Sequence, residues 1–138
     1  MSLPRILLAE DNENDKDLTC AALEEAGLAN AVDWVRDGQA CLDFLAAGNK
    51  PCVLLLDLKM PKVDGLQVLA KIKQDAALQM LPVVMLTSSR EEVDVVRSYK
   101  LGVNAYVVKP VAFEEFAKAV RELGMFWALL NEPPAWAK

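Results

Sequence analysis

Val53-Leu54-Leu55-Leu56-Asp57 is the stretch on which the reading of the fold turns. Four apolar residues in succession, with no polar alternation, read as a strand covered on both faces, the condition of a strand in a parallel sheet. The run then stops on a carboxylate. Ile6-Leu7-Leu8-Ala9 has the same character and also stops on acids, Glu10-Asp11. Moving outward, five short β-rich runs predict strands over Arg5–Glu10, Ala31–Val35, Cys52–Asp57, Pro82–Thr87 and Ala105–Val108. Between and after them, helical periodicity predicts Asp15–Ala26, Gly38–Ala47, Leu66–Asp75, Glu91–Leu101 and Phe113–Leu123. Strand and helix alternate five times with short connections. The expected fold class is therefore α/β, a doubly wound five-stranded parallel sheet. Val32-Asp33-Trp34-Val35-Arg36 carries charge and suits an edge. Asn14 or Asp15 is the expected cap of the first helix and Gly27 its end; Asp64 or Gly65 opens the third, and Gly102 closes the fourth.

Bulk properties narrow the function. The chain has 138 residues, 54% of them apolar and 25% charged, with a net charge of −5. That is one globular domain burying roughly two-thirds of its unfolded surface. An acidic chain without a basic run offers no electrostatic footprint for nucleic acid or anionic lipid. No apolar run approaches the ~18 residues of a membrane span. Cys20, Cys41 and Cys52 fit no zinc spacing, and histidine is absent. They read as small buried apolar side chains, in a reducing, cytoplasmic setting.

Sites in open parallel sheets form beyond the carboxyl ends of the strands. The first predicted strand ends in Glu10-Asp11, the third in Asp57, the fourth in Thr87-Ser88 and the fifth in Lys109-Pro110. Three converging carboxylates repel, and protonate unless a cation intervenes. Mg²⁺ suits such an all-oxygen site and would keep Asp57 ionised, able to attack phosphorus. Lys109 adds positive charge and Thr87 a hydroxyl donor. Taken singly, Glu10-Asp11 reads equally well as a helix cap, Thr87 as an ordinary strand end and Lys109-Pro110 as a loop. Asp57 is harder to dismiss, because a carboxylate ending an apolar strand needs partners. Their joint placement is the signal, and it points to phosphoryl transfer onto an aspartate.

From Pro4 to about Trp127 the chain resembles response-regulator receiver domains. The motifs are Ile-Leu-Leu-Ala-Glu10-Asp11-Asn12, Leu-Leu-Leu-Asp57-Leu-Lys-Met-Pro61-Lys-Val-Asp64-Gly65, Val-Val-Met-Leu-Thr87-Ser88 and Ala105-Tyr106-Val-Val-Lys109-Pro110. Asp11 to Asp57 is 46 residues, Asp57 to Thr87 is 30, and Thr87 to Lys109 is 22. The resemblance implies a flavodoxin-like (βα)5 fold with strand order 2-1-3-4-5. It implies a receiver domain over 4–128 with a tail over 129–138. It makes Asp57 the phosphoacceptor and assigns Mg²⁺ to Asp11, Asp57 and the Lys59 carbonyl, with Glu10 acting through a metal-bound water. Thr87 and Lys109 would touch the phosphoryl group. Pro61 and Gly65 would shape the loop after Asp57, the Lys109–Pro110 bond would be cis, and Tyr106 would swing inward when Thr87 moves. The stretch from Asp57 to Gly65, Ser98-Tyr99-Lys-Leu-Gly102 and Phe126-Trp127 are similar to a subgroup of single-domain regulators that accompany bacterial phytochrome or hybrid histidine kinases.

The implied partners are a sensor histidine kinase and an output protein, with no direct contact to nucleic acid or membrane. Too little chain follows the fifth predicted helix for a DNA-binding module, so the expected output is a docking surface, onward relay or phosphate drainage. An aspartate-nucleophile phosphatase is the enzymatic rival, but it needs an acid where Lys59 stands. A nucleotide- or flavin-binding domain lacks its glycine-rich motif. Finally, Val93, Val95, Val96 and Tyr99, then Phe113, Phe116, Ala117 and Val120, form apolar stripes on the fourth and fifth predicted helices. With Tyr106 and the run Met125–Leu130, they suggest a homodimer through the fourth helix, fifth strand and fifth helix. Covering of the chain's own fifth helix by that late run explains it equally well.

Overall fold

The computed structural model describes residues 5–25, 32–87, 100, 102–103, 105–109, 114 and 118. Its elements are β1 (Ile6–Ala9), α1 (Glu13–Glu25), β2 (Val32–Val35), α2 (Gly38–Ala46), β3 (Val53–Asp57), α3 (Gly65–Gln74), β4 (Val83–Thr87) and β5 (Ala105–Val108). The five strands form one sheet in the order β2-β1-β3-β4-β5, with every pairing parallel. The expected class and strand order are both present.

The apolar strands explain the layering. Side chains alternate faces along a strand, so Ile6, Leu8, Val53 and Leu55 join α1 residues Ala22 and Leu23 in one core cluster. Leu7, Ala9, Leu54 and Leu56 face the other way, onto Cys41 and Leu45 of α2 and Val68, Leu69 and Ile72 of α3. A strand buried on both sides has no solvent face to carry polar residues. β2 is an edge strand, as its charge suggests, and Arg5 holds it to the start of β1 through two 2.7 Å bonds to Asp33. The three thiols are free, and burial pushes those of Cys41 and Cys52 up to about 12.

Element ends shift by a residue or two from expectation, with one physical correction. The cap of α1 is neither Asn14 nor Asp15. Asn12 Oδ1 accepts the Asp15 N–H at 2.9 Å, and the helix begins at Glu13. All three residues cap well; the chain leaves β1 so sharply that the first of them reaches the orphan amides. Asp64 does cap α3, in a reciprocal box with Gln67. Gly102 adopts φ +89°, just after the helical Lys100. Gly27, most of the fourth and fifth predicted helices, Pro110 and the tail 129–138 lie outside the described residues.

Candidate functional site

The chain passes from β1 leftward to β2 and returns to place β3 on the other side of β1, so the strand order reverses between β1 and β3. Ligand sites of open α/β sheets form at such reversals. Glu10 and Asp11 follow β1 directly, and Asp57 is the last residue of β3. One carboxylate oxygen from each lies within 4.8 Å of the others. Glu10 and Asp57 are buried and Asp11 is exposed, which leaves the cluster one open side.

Lys109, immediately after β5, extends into this cluster. Its Nζ lies 2.5 Å from Glu10 Oε1, 3.2 Å from Asp57 Oδ1 and 3.1 Å from Asp15 Oδ2. The contact to Glu10 has the distance of a charge pair without the angles of a hydrogen bond, so among the described residues Oε1 is a buried oxygen with no directed donor. Glu10 Oε2 accepts the Asn12 N–H at 3.2 Å. Burial pushes the Asp57 carboxyl up to about 7, helped by the charge of Glu10 and opposed by Lys109. For Lys109, burial works against the charge, yet Glu10, Asp57 and Asp15 together raise its pKa above the usual lysine value. Three carboxylates thus face one ammonium. A three-carboxylate oxygen set, one oxygen undirected and one side open, fits a small hard cation.

The loop after β3 is fixed from three sides. Leu58 N–H donates to Leu86 O at 2.9 Å and Leu58 O accepts from Gly65 N–H at 2.9 Å. Lys62 takes φ +68° in a three-residue turn closed from Val63 N–H to Pro61 O. Its ammonium reaches Asp37, the cap of α2, at 3.5 Å.

Of the expected site residues, Glu10, Asp11, Asp57 and Lys109 come together. The Lys59 side chain is exposed, leaving only its backbone available to the site. Thr87 ends β4, with the preceding Leu86 paired to Asp57 and Thr87 itself to Val108; its side chain lies outside the described residues. Asp15 was expected only as a helix cap, and the contact to Lys109 across 94 positions of sequence was missed. Trp34 was missed as well: its indole Nε1–H donates to Glu10 O at 2.7 Å. A polar tip on an edge-strand aromatic, beside a strand ending in acids, was the available signal.

Compared with known proteins, residues 6–121 match the family model of the response regulator receiver domain. The chain belongs to this family. As a receiver domain it is similar to the bacteriophytochrome response regulator AtBRR, at 57% identity and a TM-score of 0.84 over 96% of this chain and 100% of that one. It is 40% identical to the probable methanogenesis regulatory protein FilR2 of Methanothrix harundinacea over 134 residues, 94% of this chain and 86% of that protein. It is 39% identical to response regulator Rcp1 of Synechocystis over 128 residues, 88% of this chain and 87% of that protein. The Mn²⁺-bound form of Rcp1 superposes with a TM-score of 0.77, at 38% identity over 96% of this chain and 99% of that one. The expected kinship with phytochrome-associated regulators is therefore present. Receiver domains act in phosphorelays, work with histidine kinases and bind a divalent metal at their acidic cluster. Among the described residues, no helix is long and apolar enough to cross a membrane.

Proposed function

We propose that this receiver, spanning 4–128, accepts a phosphoryl group on Asp57 from a sensor histidine kinase and reports it through a changed surface. The observation that carries this reading is the buried Asp57 carboxylate, grouped with Glu10 and Asp11 and only 3.2 Å from the Lys109 ammonium. Asp57 Oδ attacks phosphorus, a new O–P bond forms, and the P–N bond to the kinase imidazole breaks. Lys109 would pair with the phosphoryl oxygens, and Thr87, at the end of the neighbouring strand, would donate a hydrogen bond to one of them. Asp11, Asp57 and the Lys59 carbonyl would hold Mg²⁺, with Glu10 acting through a water. The metal, when bound, supplies charge neutralisation for the transferring group.

The reading is of a cytoplasmic signalling protein and not of an enzyme with turnover. A phosphatase of the aspartate-nucleophile kind needs an acid at position 59, where an exposed lysine stands. Output runs through a partner protein, with relay onward or phosphate drainage as the variants of the same chemistry. A homodimer through the fourth helix, β5 and the fifth helix is part of the proposal.

Acetyl phosphate with Mg²⁺ should add one hydroxylamine-labile phosphoryl group to the wild type. Asp57→Asn keeps the shape and removes the anionic nucleophile, so labelling should vanish. Labelling of that variant at wild-type level would overturn the assignment.

A further inference from the structure

We infer that Trp34 is a positioning residue for the metal-binding acids, acting through the backbone of Glu10. The inference rests on reading Glu10, Asp11 and Asp57 as a metal site. The peptide between Glu10 and Asp11 carries an acid at each end, so its orientation sets where both side chains start. Edge strand β2 holds that peptide and the one before it. Glu10 N–H donates to Val35 O at 3.0 Å, and Glu10 O accepts the Trp34 indole N–H at 2.7 Å. The ladder between β1 and β2 ends at Ala9 and Val35, so the indole extends the restraint past the last strand pair.

The indole is itself restrained. It is half-buried against the cluster around Leu8 and Leu23. The Lys16 ammonium and the Arg36 guanidinium each lie 4.6 Å from its ring centre. An indole that merely satisfies a nearby carbonyl is the plain structural alternative. What sets this one apart is its target, the single carbonyl joining two acids of the cluster. From there the contacts run back into the site: Asn12 N–H to Glu10 Oε2, Asp15 N–H to Asn12 Oδ1, and Asp15 to Lys109. Groups that orient metal ligands in this indirect way typically change metal affinity 10- to 100-fold when removed.

Trp34→Phe removes the donor and keeps a ring beside Lys16 and Arg36. Mn²⁺ binding to wild type and variant, followed by electron paramagnetic resonance, should show about tenfold weaker binding in the variant. Phosphorylation by acetyl phosphate should need correspondingly more Mg²⁺ and reach the same rate at saturation. Equal Mn²⁺ affinity in the two proteins would overturn the role of Trp34 and leave the metal site standing. A wild type that binds no Mn²⁺ would overturn the site and this inference together. A second measurement needs no substitution at Trp34. In the full chain carrying Trp127→Phe and Trp136→Phe, its indole N–H gives the single indole signal in a nitrogen-15 spectrum. That signal should move on Mg²⁺ titration with the midpoint of metal binding, and a stationary signal during demonstrated binding would overturn the inference.

Discussion

The Lys109 ammonium, 2.5 Å from Glu10, 3.2 Å from Asp57 and 3.1 Å from Asp15, is the counter-charge of this site when no cation is bound. Its neighbours differ in burial: Glu10 and Asp57 are enclosed, while the Asp15 side chain is 34% exposed. Lys109→Met takes the ammonium away from two buried carboxylates and should destabilise the metal-free protein by roughly 3 kcal/mol. Asp15→Asn removes a partly solvated pair and should cost less than about 1 kcal/mol. Urea unfolding in a chelator compares the two, and a divalent cation should restore more of the loss in Lys109→Met. A pH dependence follows from Asp57, whose carboxyl sits at about 7 in the folded protein against an ordinary 3.8. Between those values the folded state keeps a proton that the unfolded chain has released. The stabilising contribution is complete below the lower value and is lost as pH rises through the upper one. The metal-free urea midpoint should therefore fall between about pH 4 and about pH 7, and Asp57→Asn should remove that part of the fall. A slope identical in the two proteins would show that Asp57 titrates at its ordinary value.

α3 packs against the end of β3 closely enough that Gly65 has no room for a side chain. A Cβ there would lie 2.3 Å from Asp57 O and 2.9 Å from Leu58 Cα, both backbone atoms. At Gly38, the start of α2, a Cβ would come closer still, 1.8 Å from Val63 O. The loop carrying Lys59 is thus pressed between two helix starts, and the positive φ of Lys62 is the strain it carries there. Gly65→Ala should force α3 away from β3, costing roughly 2 kcal/mol and slowing labelling by acetyl phosphate, because Asp57 moves with its own carbonyl. Asp64→Ala, one residue earlier, removes a helix cap worth about 1 kcal/mol and should leave labelling near the wild-type rate. Denaturation midpoints and labelling rates of the pair separate the two effects; parallel losses of both quantities would mean that the helix start matters only for stability.

The molecule puts all five strand ends on one edge, with helices on both faces of the sheet. A charge change at Asp57 must reach a surface to be read, and β5 provides a route: Lys109 follows it, and Tyr106 within it is half-buried against the α2–α3 core cluster. The proposed dimer face includes this strand. Sedimentation of the wild type should show self-association that Val95→Glu or Phe126→Glu removes. A wild type that remains monomeric at high concentration, with and without beryllofluoride, would leave only a heterologous partner for this face.

The chain by itself determined the class of fold and four members of the cluster. Strands apolar at every position require cover on both faces, and parallel βαβ units bring every strand's carboxyl end to one edge. Acids at the ends of two such runs and a lysine after a third must then converge, whatever their sequence separation. Periodicity is silent on which strands are neighbours; the order 2-1-3-4-5 is implied by the family resemblance and shown by hydrogen-bonded pairing in the structure. Only the tertiary structure showed that Asn12 caps α1, that Asp15 reaches Lys109, and that Trp34 holds the Glu10 carbonyl. These depend on the register of β1 against β2, the angle at which the chain leaves β1, and the direction of single side chains. Such quantities vary over a few ångströms, less than the spacing that a hydrophobic pattern can encode.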